Sequence, residues 1–188
     1  MKKMLLFLFA TIALSACSSQ DVKSPTKNAI KNADLTKREQ SILNSTANGW
    51  IAAEYHTTDF DNISLSLEQY EYGIRSKHKK LNIGSTTDEE GIILFTHTQF
   101  EDLNLFKLTV NGNSITQKWD LTHDSSSWST NPSLGKITED EIVVGGITYD
   151  SNRSVPADAF SNRAETIEVL KDIPLTYFIV AQFKKIAD

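Results

Sequence analysis

Apolar and polar residues alternate with a period of two along much of this 188-residue chain. Ile63, Leu65 and Leu67, for example, fall on one face of the segment 62–72, as the side chains of a half-buried β-strand do. About seven to nine such segments predict a mainly β fold, either a single antiparallel sandwich or a small open barrel. The predicted strands are Trp50–His56, Asn62–Tyr72, Leu81–Ile83, Gly91–Thr98, Leu103–Val110, Ser114–Trp119, Ile142–Tyr149 and Leu175–Phe183.

The connections between these segments carry their own signals. Asn111-Gly112-Asn113 predicts a tight hairpin turn. In Leu103–Val110 the apolar residues change parity, which predicts a β-bulge if one face is to hold them all. The Ser-, Asn- and Pro-rich segment 123–136 is predicted to be one long loop.

Two short helices are predicted. Thr36 and Glu39 have the spacing of a capping box, in which each residue satisfies a backbone amide of the other, so a helix is expected to run to about Asn44. A second short helix is predicted over Ala164–Lys171, after an irregular stretch at 153–161. The β-rich domain is therefore expected to begin with a short N-terminal helix.

The first residues have the form of an export signal. Lys2 and Lys3 precede the apolar run 4–14, which is too short to cross a ~30 Å hydrocarbon layer but fits the apolar region of a secretory signal. Leu14-Ser15-Ala16-Cys17 then resembles the lipobox of bacterial lipoproteins. The resemblance implies cleavage between Ala16 and Cys17 and attachment of a lipid, with acyl chains such as palmitate, to the cysteine.

These signals divide the chain into three parts. Residues 1–16 are predicted to be the signal peptide, 17–33 a lipidated, flexible polar tether, and 34–188 a single β-rich domain. The expected location is the extracytoplasmic face of a membrane, to which the lipid on Cys17 holds the protein.

Composition excludes several classes of function. Without residues 1–16 the chain keeps 17 basic residues against 24 acidic ones, a net charge of −7, which argues against a nucleic-acid partner. Cys17 is the only cysteine, so its acylation leaves no thiol for a disulfide, a nucleophile or a zinc site. No two histidines have metal-ligand spacing, and neither a metal nor a cofactor is predicted.

Three further segments resemble a group of small uncharacterised lipoproteins of Gram-positive bacteria. They are Leu35–Leu43, Ser66–Gly73 and the strand Gly91–Thr96, within a stretch that covers about a third of the chain. The chain departs from the group at Leu67, where an aromatic residue is expected before Glu68. The resemblance implies a mostly β fold and the outer face of a Gram-positive cell membrane. A Gram-negative host would instead imply the outer membrane, because Ser18 rather than aspartate follows Cys17.

Two tryptophans bracket the predicted long loop and form the speculative binding site. Trp119 and Trp128 could each offer a large rigid face to a ligand, with His123 and Asp124 between them. The alternative is that Trp119 packs in the core while Trp128 covers a sheet edge.

Two functions follow from these patterns. The first is a non-catalytic domain that binds a protein or an envelope component. The alternative is a hydrolase of cell-wall or extracellular material, with an active site assembled from His123, Asp124 and the acidic clusters at 88–90 and 139–141. No catalytic signature occurs, so the protein is not expected to be an enzyme.

Overall fold

A computed structural model describes residues 27–76, 81–101, 103–119, 125–149, 153–161 and 168–185. The signal peptide, Cys17, His123 and Asp124 lie outside these ranges. In chain order the strands and helices are β1 Ala29–Asn32, α1 Lys37–Thr46, β2 Gly49–His56, β3 Asn62–Glu71, β4 Ile74–Arg75, β5 Leu81–Thr86, β6 Glu90–Phe100, β7 Leu103–Val110, β8 Asn113–Trp119, β9 Ser126–Thr130, β10 Glu141–Tyr149, α2 Asp158–Ser161 and β11 Leu175–Lys184.

Two antiparallel sheets form a sandwich, which confirms the predicted mainly β class. The five-stranded sheet has the order β1-β2-β6-β7-β8. The six-stranded sheet has the order β4-β3-β11-β10-β9, and β5 also pairs with β3. The main core lies between the sheets and is built from inward-facing residues of both, with Phe95, Phe106 and Phe183 among the largest.

The sandwich has two ends that matter for function. At the tether end, β1 begins at Ala29 and β6 begins at Glu90. At the far end, β2 begins at Gly49 and β6 ends at Phe100. The antiparallel register therefore gathers the β3–β4, β6–β7 and β8–β9 connections at the far end.

The outer faces of the two sheets differ. A second, smaller core lies on the outside of the six-stranded sheet, where Phe160, Leu170 and Ile173 cover Phe178 and Val180. As a result β11 is buried on both faces, and its sequence is almost continuously apolar. The outer face of the five-stranded sheet carries half-exposed apolar side chains instead.

The predicted bulge in β7 is wrong. β7 pairs with β6 and β8 in unbroken register from Leu103 to Val110. Phe106 and Leu108 point into the core, whereas Leu103 and Leu105 point outward and stay partly exposed. A strand with apolar residues on both faces needs no bulge when the apolar side chains of its outer face can stay partly exposed to solvent. The register shift occurs in β10 instead, between Val143 and Gly145.

The predicted boundaries of two irregular segments are also wrong. Residues 29–32 of the expected tether form β1, which pairs with β2 and buries Ile30. Part of the expected long loop forms β9, which pairs with β10 from Ser126 to Thr130. Both strands are short and polar, so tertiary pairing rather than propensity decides their conformation.

Helix α1 forms as predicted, and its capping box between Thr36 and Glu39 is present. The first half of the predicted helix over 164–171 lies outside the described residues, and 168–170 are helical. Residues 158–161 of the segment expected to be irregular form α2.

Candidate binding surface

Five rings form a continuous stack between the sheets near the far end, which we call the aromatic column. Its members come from five different strands, and neighbouring ring centroids lie 4.3–5.9 Å apart. Such distances are typical of stacked aromatic pairs, which contribute beyond simple burial. The column runs in the order Trp128, His97, Phe106, Trp119 and Tyr177.

His97 serves in the column as a flat, neutral ring. It is buried and nearly parallel to Phe106, and its Nε2 lies 2.9 Å from Oδ1 of Asn104. Because Oδ1 is an acceptor, Nε2 carries the proton of the neutral ring. Burial lowers the pKa of His97, and the hydrogen bond to Asn104 opposes that effect.

The lowered pKa of His97 predicts a loss of stability in mild acid. In the unfolded chain the imidazole titrates near 6.5, and in the fold it titrates lower, so between these values only the unfolded chain binds the proton. The free energy of unfolding should therefore fall as the pH drops below about 6.5. Urea unfolding from about pH 7.5 to about pH 5.5 should show a shallower fall for His97→Gln than for the unchanged chain. Equal pH slopes would contradict this assignment.

Gly49 gives Trp128 its place in the column. A Cβ at position 49 would lie 2.2 Å from Cε2 and 2.5 Å from Cζ2 of the indole, so only glycine leaves room for the ring. A Cβ added at Gly84, in contrast, would have the carbonyl oxygen of Ile63 as its nearest neighbour, at 3.9 Å. Trp128 itself is half-buried on β9, at the edge of the six-stranded sheet.

The crowding at Gly49 predicts a destabilising effect of a single methyl group. Gly49→Ala should lower the free energy of unfolding by ~1–3 kcal/mol, because the indole must move away from His97 and Phe95. Gly84→Ala is the matched control and should change it by less than ~1 kcal/mol. Chemical denaturation with Trp fluorescence measures both, and equal losses would show that Trp128 is not held as described.

Polar groups lie beside the column on the six-stranded sheet. Burial raises the pKa of Tyr177 to about 12, helped by the negative charge of Glu71. Burial also raises the pKa of Tyr149, so both phenols stay protonated at neutral pH. Gln69 is cross-strand from Tyr177 and donates from Nε2 to Glu71, while its Oε1 is buried with no hydrogen-bond partner.

Large apolar side chains are exposed at the far end. Two tight turns carry the most exposed of them: Tyr72 and Ile74 at the β3–β4 turn, and Phe100 at the end of β6. Their exposed fractions are 59% for Tyr72, 70% for Ile74 and 67% for Phe100. We call these three residues the apolar tips.

Helix α1 adds a fourth exposed apolar residue near the same end. Ile42 is 52% exposed, and the helix ends beside β6, where the Thr98 hydroxyl donates to the carbonyl of Thr46. The remaining large exposed apolar residue in the described ranges is Ile92, 40% exposed on the outer face of the five-stranded sheet.

Asn28 fastens the start of the domain at the tether end. Its Oδ1 accepts hydrogen bonds from the Thr57 hydroxyl and the Thr58 amide, and its Nδ2 donates to Asp59 at 2.7 Å. Lys27 forms an ion pair with Asp59 at 2.9 Å. The point at which the N-terminal segment joins the domain is therefore fixed at the end opposite the apolar tips.

The structure brings two of the four predicted binding residues together. Trp119 and Trp128 belong to the same column, separated by His97 and Phe106. Trp119 is half-buried against Phe106 and Tyr177. His123 and Asp124 lie outside the described residues, as do Ala16 and Cys17.

The acidic clusters considered for hydrolysis lie at the opposite end of the sandwich from Trp119. Asp88–Glu90 and Glu139–Glu141 lie at the starts of β6 and β10, at the tether end, whereas Trp119 ends β8 at the far end. The seven residues of β8 separate the two ends by about 20 Å.

Sequence reasoning missed the apolar tips. Tyr72 was assigned to a strand, but it has a φ of +50° and, with Gly73 at +77°, forms a two-residue turn between β3 and β4. The sequence does contain a signal for this turn: Tyr72 directly precedes Gly73, at a turn position where Asn or Asp is usually favoured.

Comparison with known families addresses the N-terminal residues. Residues 1–18 match the family model for the prokaryotic membrane lipoprotein lipid attachment site. The chain carries the anchor of a bacterial lipoprotein. This membrane-anchored lipoprotein matches no curated protein and no solved structure. In the parts of the chain that the structure describes, no helix is both long and apolar enough to span a membrane.

Proposed function

We propose that this lipoprotein is a non-catalytic binding protein, whose domain holds a protein or an envelope component at the extracytoplasmic face of the membrane. The observation that carries the proposal is the placement of exposed apolar side chains at the far end. Four of the five large exposed apolar residues in the described ranges lie on its turns or on the adjoining helix. Apolar side chains exposed together at one end of a domain are typical of an interaction site.

The conformation of Tyr72 supports a role beyond folding. A left-handed backbone costs a residue with a Cβ roughly 1–2 kcal/mol, and Asn or Gly meets this cost more easily than tyrosine. The ring then remains largely in solvent, so little burial offsets the cost. Strain retained at an exposed turn is typical of binding sites, where contact with a partner supplies the compensating free energy.

A rigid base supports the tips. The β3–β4 and β6–β7 turns each join two paired strands through two residues, and His97 and Phe106 of the aromatic column lie on the two strands that the second turn joins. Turns held in this way lose little entropy when a partner binds. Burying the side chain of Phe100 in a partner would contribute ~1.5–3 kcal/mol.

The proposed location follows from the anchor and the resemblance. The lipid on Cys17 holds the protein at the extracytoplasmic side, and the Gram-positive resemblance favours the single cell membrane. We propose no cofactor and no metal for this activity.

Replacement of two of the apolar tips by serine tests the proposal. In cells expressing the full lipidated chain, Ile74→Ser with Phe100→Ser should lower the recovery of a crosslinked partner at least about tenfold, whereas Ile92→Ser should leave it unchanged. Equal recovery from all three chains would refute the role of the far end. If the unchanged chain hydrolysed wall fragments and His123→Ala abolished that activity, the protein would be a hydrolase and the proposal of a non-catalytic role would be wrong.

A further inference from the structure

We infer that the apolar tips insert into an apolar groove of a partner protein that approaches from the side facing away from the anchoring membrane. This inference rests on the proposed function and names the surface, the direction and the kind of partner. Three features carry it: the place where the lipidated segment joins the domain, the distance between the two ends, and the shape and charge of the tips.

The length of the N-terminal segment limits where the domain can stand. Ten residues lie between Cys17 and Asn28, and the eleven steps from one Cα to the next span at most about 40 Å. As a random coil it would span roughly 20 Å. Asn28 is held at the tether end. A domain that stands on this tether therefore has its far end directed away from the membrane.

The distance between the ends disfavours the anchoring membrane as the occupant. β6 runs from Glu90 at the tether end to Phe100 at the far end, and its eleven residues extend about 35 Å. For the far end to point into the same membrane, the domain would have to invert and the tether would have to stretch over nearly its full length. That loss of chain entropy opposes insertion of the tips into the lipid.

Anchoring side by side disfavours a second copy in the same membrane as the occupant. Copies anchored side by side point their far ends in the same direction, so the tips of one cannot face the tips of the other. The tips are also convex, because they lie on turns that end two-stranded hairpins. Convex apolar side chains need a concave receptor, which another copy of the same end does not offer.

The charges around the tips indicate the rim of the groove. Glu71 and Glu101 are exposed beside Tyr72 and Phe100. Arg75, next to Ile74, is occupied by an ion pair with the buried carboxylate of Glu68. A groove with lysine or arginine at its rim would complement this arrangement.

Position-specific photo-crosslinking in living cells tests the inference. A photoreactive amino acid replaces Phe100, Ile74 or, as the control at the tether end, Asn113 in the full lipidated chain. We expect positions 100 and 74 to give one adduct of the same mass, with the crosslinked peptide mapping to apolar residues flanked by Lys or Arg. Position 113 should not give this adduct. Glu71→Lys with Glu101→Lys should lower the yield at least about tenfold.

Four results would overturn the inference: a lipid adduct at position 100, an adduct of two copies of the chain, the same protein adduct from position 113, or no adduct from 100 and 74. Melting curves of each variant confirm that the exposed substitutions leave the fold intact. A partner adduct from another surface would refute the far-end inference but retain the binding function. No adduct from any surface would refute both.

Discussion

Phe106→Ala is expected to lower the free energy of unfolding by ~3–5 kcal/mol, the largest effect of any single substitution proposed for the domain. Phe106 is fully buried on β7, and its ring stacks on His97 at 4.5 Å and on Trp119 at 4.3 Å. Alanine would leave a cavity in the middle of the aromatic column, and three neighbouring rings, including Phe95, would lose a partner. A domain of this size has a total stability of only ~5–15 kcal/mol.

Phe100→Ala is the matched control for that substitution. The same side chain is removed from the end of the neighbouring strand, where 67% of it is exposed. Its effect on stability should be within ~0.5 kcal/mol. Urea unfolding of both variants measures the difference, and comparable losses would mean that Phe106 is not packed in the column. The control also shows whether a binding defect at Phe100 can be read without a folding defect.

Cys17→Ser is expected to abolish lipid attachment completely. The sulfur of Cys17 is the predicted lipid acceptor within the lipid attachment site that residues 1–18 match, and the chain contains no other cysteine to replace it. Labelled palmitate supplied to cells should therefore appear in the unchanged chain but not in the variant. Because lipid attachment precedes cleavage, the variant should also keep residues 1–16.

The control for the anchor is the next residue. Ser18→Ala should leave palmitate labelling and processing intact, since the serine follows the cleavage site. Two or more acyl chains anchor a protein stably, at ~0.8 kcal/mol for each buried CH₂, so the labelled chain should stay with membranes during washing at high salt. Palmitate label on Cys17→Ser would contradict the assignment of the lipid to Cys17.

Phe106 and Cys17 contribute to different properties of the protein. Substitution of Phe106 disturbs packing that links five strands, whereas substitution of Cys17 removes a covalent signal that functions before the domain has folded. A variant that loses the anchor should keep the stability of its domain, because Asn28 fixes the start of the fold without the lipid.

The sequence by itself determined the anchor and the fold class. The lipobox is contiguous, so its residues are adjacent in the chain whatever the fold. Strands with strong alternation, such as β3, and strands with continuous apolar runs, such as β11, were predicted because burial imposes those patterns directly. The capping box of α1 is likewise a local interaction over three residues.

Only the tertiary structure decided the short strands, the aromatic column and the position of the apolar tips. β1 and β9 are strands because β2 and β10 supply their hydrogen-bond partners, which no local pattern encodes. Trp119 and Trp128 bracket a loop in sequence, but His97 and Phe106 come between them from strands that sequence spacing cannot relate. The tips lie opposite the tether because antiparallel pairing places the end of β6 far from Asn28, and pairing of this kind is a property of the whole sheet.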